Sequence, residues 1–159
     1  MKARNLLLVA LALVLAGLVS VAPAAADDAV VPFKAVYETQ PTQVGYDFET
    51  GVITLAIPGE GRSTHLGEST WYADSWVDTN DFPFVQTGVM EFTAANGDRL
   101  FGTFAGLGVP TGLTSVEFRG DFTITGGSGR FEGATATGTY YGTADGSEGM
   151  LYFDGVLFK

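Results

Sequence analysis

The glycine-rich segment Ile124–Gly138 is the part of the sequence whose residue types most suggest chemistry, because such segments can bind phosphate groups. A P-loop requires Gly, four residues and then Gly-Lys-Ser or Gly-Lys-Thr, and the chain contains no such string. A dinucleotide loop requires Gly-x-Gly-x-x-Gly, but the candidate at Gly127 and Gly129 has glutamate in place of the third glycine. The Thr- and Tyr-rich residues that follow alternate as in a strand, so no helix N-terminus is predicted to hold a phosphate. We therefore interpret the segment as a structural corner where glycine allows unusual φ values, formed by Gly126, Gly127, Gly129 and Phe131.

Candidate catalytic side chains are few. His65 is the only histidine, so a Ser-His-Asp triad would depend on it, yet the chain has no Gly-x-Ser-x-Gly nucleophile motif. We favour a structural role in which His65 is hydrogen-bonded at the entry to the strand that begins near Ser69, and keep catalysis by His65 as the weaker alternative. The chain contains no cysteine, which excludes a thiol nucleophile and a thiolate metal site.

An acidic segment provides oxygen atoms of the kind that calcium prefers as ligands. Its side chains are Asp74, Asp78, Asn80 and Asp81, and their spacing matches no known calcium loop. A solvated acidic turn is the favoured interpretation, and whether Asp74, Asp78 and Asp81 bind calcium stays open. We assign no metal and no cofactor to the chain.

Short runs rich in Val, Thr, Phe and Tyr recur between glycine or Asn/Asp-Gly turns, which is typical of an all-β protein. The Asn-Gly pair at 96–97 and the Asp-Gly pair at 145–146 suit tight hairpin turns, because these residues tolerate positive φ. About eight strands joined by tight turns close more readily into an antiparallel barrel than into an open sheet with free edges. The predicted strands are Val31–Glu38, Val52–Ile57, Ser69–Val77, Gln86–Ala94, Arg99–Ala105, Ser115–Thr125, Ala134–Thr143 and Gly149–Phe158.

The alternation of apolar and polar residues predicts which side chains point into this barrel. The inward residues that we predict to contact a ligand are Met90, Phe92, Phe118, Phe122 and Ile124. Trp71 and Trp76 have odd spacing, so one is expected in the core and the other at a barrel mouth or a subunit contact.

The final predicted strand is apolar on both faces, and an uncovered apolar face would leave an adhesive patch on a monomer. We therefore expect Leu151, Phe153 and Leu157, or the alternate set of residues, to pack against a second subunit in a dimer or trimer.

Two short stretches resemble a known family. GGSGRFEGA, Gly126–Ala134, resembles the glycine-rich corner of the allene oxide cyclase barrel and of dirigent proteins, and STHLGE, Ser63–Glu68, is similar to a stretch of exported bacterial proteins of that type. Ser128 stands where dirigent proteins usually carry threonine, which brings the resemblance closer to the cyclases. The resemblance implies an eight-stranded calycin-like barrel, often trimeric, with an apolar cavity and no cofactor. It implies no catalytic residue here, because none of the plant positions can be matched in this chain.

The N-terminal segment has the features of a bacterial secretory signal peptide. Lys2 and Arg4 precede an uncharged apolar run from Leu6 to Val19, and three alanines precede Asp27. We predict a signal peptide over residues 1–26 and a secreted single domain over residues 27–159.

The charge of that domain restricts its partners. Loss of two basic residues with the signal peptide leaves six against 18 acidic residues, or a net charge of −12. Such a surface repels nucleic acid and anionic membranes, so we expect neither as a partner.

Three functions remain open from the sequence. We favour a barrel that binds one small apolar molecule, because an eight-stranded barrel is just wide enough inside for side chains or a small ligand. The first alternative is a cofactor-independent cyclase or isomerase that confines an apolar substrate, although no acid, base or electrophile can be assigned to it. The second alternative is a structural exported protein with a filled core.

Overall fold

The computed structural model describes residues 29–159, and the predicted signal peptide with its cleavage position lies outside the described residues. The described residues form nine strands and one turn of 3-10 helix, which confirms the all-β prediction. No helix among them is long and apolar enough to cross a membrane. The strands are β1 (Val30–Thr39), β2 (Thr42–Asp47), β3 (Val52–Ser63), β4 (Gly67–Asp78), β5 (Phe84–Ala94), β6 (Arg99–Pro110), β7 (Ser115–Ser128), β8 (Thr135–Asp145) and β9 (Glu148–Phe158).

The sheet closes into an eight-stranded antiparallel barrel, as the strand count predicts. Hydrogen bonding runs in the order β1-β9-β8-β7-β6-β5-β4-β3, and β3 pairs again with β1. β2 pairs with β3 beyond the end of β1, so that Thr39 faces Gly59 and Thr42 faces Ala56. β1 and β2 therefore pair one after the other with the same edge of β3, whereas β9 pairs with β1 and not with β2.

The sequence prediction missed β2 and ended β3 too early. β2 contains Gly45 and follows Pro41, which are residues typical of a turn. β3 continues past Pro58, which faces the break between β1 and β2 and accepts a hydrogen bond of 2.9 Å from the backbone N–H of Gln40. The N–H and C=O groups of one strand residue point to the same side of the strand. The backbone nitrogen of Pro58, which carries no hydrogen, therefore also faces the break between β1 and β2, so its lack of a donor interrupts no continuous strand pairing.

The two ends of the barrel differ. We call the end formed by the turns at 64–66, 95–98 and 129–134 the closed end, and the opposite end, with the turns at 48–51, 79–83, 111–114 and 146–147, the open end. Next to the closed end, six inward rings pack with centroid separations of 5.1 to 6.4 Å. This aromatic cluster consists of Phe33, Tyr37, Trp71, Phe92, Phe122 and Phe153, all at most 4% exposed.

The glycine-rich segment lies between β7 and β8 at the closed end. Gly129 has φ +64°, which favours glycine, whereas Gly126 and Gly127 lie in extended β7. The prediction of unusual φ is therefore wrong for those two residues. A Cβ on Gly127 would lie 2.5 Å from the carbonyl oxygen of Phe131 and 2.6 Å from that of Arg99, so close approach of backbone requires glycine there. The Phe131 ring is buried beneath this corner.

The two tryptophans and the last strand show the expected alternation. Trp71 is buried and Trp76 is 41% exposed, which confirms that they lie on opposite faces. Leu151, Phe153 and Leu157 point into the barrel, so this set cannot form the predicted subunit contact. The outward apolar residues of β9, which are Met150, Tyr152, Val156 and Phe158, remain the candidate surface for it.

Candidate ligand cavity

A cavity of about 330 Å³, which we call the mouth cavity, occupies the open end of the barrel. Its walls come from inward positions of β1 to β8 and from the turns at that end. Its apolar lining includes Ile53, Leu55, Ile57, Val77, Phe84, Val116 and Phe118, and its polar lining includes Thr39, Gln43, Thr79, Gln86 and Thr114. Among the described residues, no Asp, Glu, Lys, Arg or His side chain lines it.

Three other hollows are larger, at about 550, 610 and 430 Å³. The first adjoins the rim of the mouth cavity, with which it shares Thr39, Val116 and Ala144. Its lining includes four acidic residues, Glu38, Glu117, Asp145 and Glu148. The second lies on the outer face beside the ion pair of Lys34 with Asp154, whose charged atoms are 3.1 Å apart. The one of about 430 Å³ lies on the outer face of β3, β4 and β5, where its lining includes Glu60, Glu68 and Thr93. We place the candidate site in the mouth cavity because it is the hollow that enters the barrel and carries a mainly apolar lining.

A hollow of about 20 Å³, the inner pocket, lies next to the mouth cavity and deeper in the barrel. The two share Thr39, Ile57, Gln86 and Phe118, so the inner pocket continues the mouth cavity toward the aromatic cluster. The remaining residues of its lining are Trp71, Phe104, Tyr140, Leu151 and Phe153. A hollow of this size holds a single water or one group of similar size.

Buried polar side chains are arranged around the inner pocket. Gln86 donates from Nε2 to Ser75 Oγ over 3.0 Å, and Tyr140 donates its hydroxyl proton to Gln86 Oε1 over 3.3 Å. All three residues are less than a tenth exposed, so these bonds fix the orientation of the Gln86 amide.

The indole N–H of Trp71 lacks such a partner. Trp71 is 4% exposed, and its Nε1 is buried without any hydrogen bond within the described part of the chain. A buried donor without a partner costs about 1–3 kcal/mol of stability. This cost is located at the lining of the inner pocket.

The ionisable groups of the barrel interior are phenols. Burial raises the pKa of Tyr37 to about 12, although its 2.8 Å hydrogen bond with Ser69 lowers it in part. Burial, and secondarily the negative charge of Asp121, raises the pKa of Tyr140 well above its ordinary value. Both phenols are therefore neutral at physiological pH and act there through hydrogen bonds.

These raised pKa values predict a loss of stability at alkaline pH. The pKa of Tyr37 is about 12 in the folded chain and 10.0 for an ordinary tyrosine, so its contribution is complete below pH 10 and is lost as the pH rises toward 12. The difference corresponds to about 3 kcal/mol for this residue alone. Urea denaturation between pH 8 and pH 12 measures the loss.

Phenylalanine variants separate Tyr37 from the other groups that titrate at this pH. Tyr37→Phe should flatten the alkaline decline, whereas Tyr141→Phe, at a 57% exposed position, should leave it unchanged. An equally steep decline in the Tyr37→Phe variant and in the wild type would contradict the prediction.

The predicted ligand-contacting residues divide between the two halves of the barrel. Phe118 lines both the mouth cavity and the inner pocket. Met90, Phe92, Phe122 and Ile124 are buried in the packed half and line neither hollow. Ligand contact by these five residues stays a prediction, and the geometry favours Phe118 among them.

The sequence analysis did not single out Gln86 or Tyr140 as inward polar residues. A signal was available for Gln86, because it has the same parity as the inward residues Met90 and Phe92 in one predicted strand. A similar signal was available for Tyr140, because adjacent strand residues point to opposite faces and its neighbour Tyr141 in β8 points outward. Their pairing across the barrel has no counterpart in the sequence pattern.

His65 lies in the turn between β3 and β4 at the closed end, away from the mouth cavity. Its Nε2–H donates to the carbonyl oxygen of Pro32 over 2.8 Å, and its own carbonyl accepts a 3.0 Å bond from Arg130. These contacts agree with the structural role that the sequence favours.

The acidic segment is engaged in local hydrogen bonds. Asp78 Oδ1 accepts from the backbone N–H of Asn80 over 2.9 Å, and Asp74 accepts from the Tyr72 hydroxyl over 3.0 Å. Within residues 29–159, no three His, Asp or Glu side chains come together in a group that could hold a metal ion.

Comparison with known proteins gave no match among protein-family models, curated proteins or solved structures. The fold and the site define a closed antiparallel β-barrel with an uncharged cavity at one end. The resemblance to allene oxide cyclases and dirigent proteins remains an expectation from the sequence.

Proposed function

We propose that the protein binds one small, uncharged and mainly apolar molecule in the mouth cavity. The observation that carries this proposal is the lining of the cavity, which combines apolar side chains with hydroxyl and amide groups and includes no charged side chain. Burial of apolar ligand surface contributes roughly 25 cal/mol per Å². A charged ligand would instead be buried without a partner of opposite charge, which costs several kcal/mol.

The dimensions of the cavity support the same function. Its volume of about 330 Å³ falls at the lower end of the range of about 300–1,000 Å³ for small-molecule sites. A structural protein with a filled core is less well supported, because only the half of the barrel that holds the aromatic cluster is packed. For a cyclase or isomerase, the ionisable side chain that lines the inner pocket is Tyr140, whose raised pKa keeps it neutral.

Secretion and self-association belong to the same proposal. The signal-peptide pattern of residues 1–26 supports export, and the outward apolar residues of β9 support a homo-oligomer. N-terminal sequencing of the released protein and sedimentation at high concentration check these two expectations separately. Residues 1–26 retained in the released protein, or a monomer at high concentration, would contradict them.

Titration with an uncharged fluorescent dye tests the proposed function. We expect residues 27–159 to take up one Nile red molecule per chain with an increase in fluorescence, because the dye leaves water for the apolar cavity. Decane should displace the dye competitively, since both occupy the same space. A folded protein that takes up no dye would contradict the proposal and would favour the structural protein.

A further inference from the structure

We infer that the inner pocket is the subsite for a hydrogen-bond acceptor of the ligand, an uncharged carbonyl or ether oxygen, which accepts from Trp71 Nε1–H. This inference rests on the proposed function and adds to it the polar group of the ligand and its orientation. The ligand enters with its oxygen first, and its apolar remainder occupies the mouth cavity.

The first step of the argument is the distribution of unpaired buried polar atoms. In residues 29–159, Trp71 Nε1 is the one side-chain nitrogen or oxygen that is fully buried without a partner. It belongs to a residue that lines the inner pocket, where the mouth cavity ends. The residue that carries the unpaired donor therefore borders a space that could hold an acceptor.

The second step is the direction of the indole ring. The edge of the ring that carries Cε3 faces β3, because a Cβ on Gly59 would lie 3.5 Å from Cε3. Nε1 is on the opposite long edge of the indole, so it is not the atom that approaches Gly59. Across the barrel from β4, the lining of the inner pocket comes from β6, β8 and β9, namely Phe104, Tyr140, Leu151 and Phe153, and Ile57 of β3 also contributes to it.

The third step concerns the other polar groups of the pocket. Gln86 uses one amide proton for Ser75, and its Oε1 already accepts from Tyr140. The second amide proton of Gln86 is a further donor, so the pocket offers N–H groups to an incoming oxygen. The Tyr140 and Thr39 hydroxyl oxygens of the lining can accept as well, but Trp71 Nε1 is the buried group without a partner, so a ligand that presents an acceptor satisfies it.

The fourth step is the charge of that acceptor. Neither the inner pocket nor the mouth cavity is lined, within the described residues, by Lys, Arg or His. A carboxylate or phosphate would be buried there without a cation, whereas a ketone, ester or ether oxygen needs only the hydrogen bond. The inner pocket of about 20 Å³ accommodates one such group.

The test follows the Trp71 indole proton by NMR during ligand titration. In ¹⁵N-labelled protein carrying Trp76→Phe, Trp71 provides the single indole N–H resonance. We expect methyl octyl ketone to move this proton downfield, because a hydrogen bond to oxygen deshields it, and decane to bind without that downfield shift. This measurement keeps Trp71 in place and does not depend on the folding of a Trp71 variant.

A second measurement compares affinities of the same two ligands. Trp71→Phe should lower the preference for the ketone over decane by about threefold to tenfold, the value of one neutral hydrogen bond. The ratio of the two affinities cancels changes in packing, and Trp76→Phe should leave it unaltered.

The outcomes separate this inference from the proposed function. If both ligands bind but the Trp71 resonance and the affinity ratio do not respond to the ketone, a buried water satisfies the indole and the inference is overturned while the proposed function stands. Tighter binding of decanoate than of the ketone would contradict the inference that the acceptor is uncharged. If neither the ketone nor decane binds, the proposed function itself fails.

Discussion

Replacement of Phe153 by alanine is expected to lower the free energy of unfolding by about 3–5 kcal/mol. The Phe153 ring is 4% exposed and lies at the centre of the packed half of the barrel. Its centroid is 5.1 Å from that of Phe92, 5.3 Å from that of Phe122 and 5.9 Å from that of Trp71. Truncation removes these contacts, and the strands around the void are tied into a closed sheet that restricts their collapse.

Urea denaturation followed by circular dichroism measures this effect. Tyr152→Ala is the matched control, because Tyr152 precedes Phe153 in β9 but points outward and stacks on Tyr141 with centroids 4.7 Å apart. Loss of that stacked pair on the outer face should cost about 1 kcal/mol. Equal losses in the two variants would show that the interior of the barrel is not packed as described.

Substitution of Gly108 by leucine is expected to weaken dye and decane binding at least about tenfold, because the new side chain fills the mouth cavity. Gly108 points inward from β6 and lines the cavity. A Cβ at this position would lie 3.6 Å from Val116 Cγ2 and 3.9 Å from Phe84 Cβ, which are ordinary contacts. The backbone φ of Gly108 is not positive, so leucine introduces no backbone strain there.

A leucine on the outer face provides the control. Gly45 in β2 has similar space for a Cβ, 3.5 Å from Thr54 Cβ, and does not line the cavity. Gly45→Leu should leave ligand binding unchanged, and both variants should remain folded by circular dichroism. Unimpaired binding by Gly108→Leu would place the ligand elsewhere, for example in one of the three larger hollows.

The barrel was predictable from the sequence because its strands alternate with period two and end at glycine turns. The alternation of Phe118, Phe122 and Ile124 with charged residues and threonines in β7 assigns their faces directly. β2 was not predictable in this way, since its pairing with β3 depends on the break at Gln40 and Pro41, where the chain leaves β9 but continues along β3.

The cavity was predictable only in part. Alternation identifies inward residues but does not report depth along the barrel, so Phe118 near the open end and Phe122 in the packed half look equivalent in sequence. The difference arises from which rings meet across the interior. The Phe122 ring packs against Phe33 and Phe153, whereas Phe118 lines the mouth cavity and the inner pocket. Such contacts join strands that are far apart in the chain.

The division of the barrel into a packed half and a hollow half has a consequence for protein engineering. Residues at the rim of the mouth cavity, such as Gln43, Thr79 and Thr114, are absent from the buried apolar core that holds the fold together. Substitutions at sites that share no contacts combine nearly additively. A library of variants confined to the rim residues is therefore expected to change ligand specificity while the aromatic cluster, and with it the stability of the fold, stays the same.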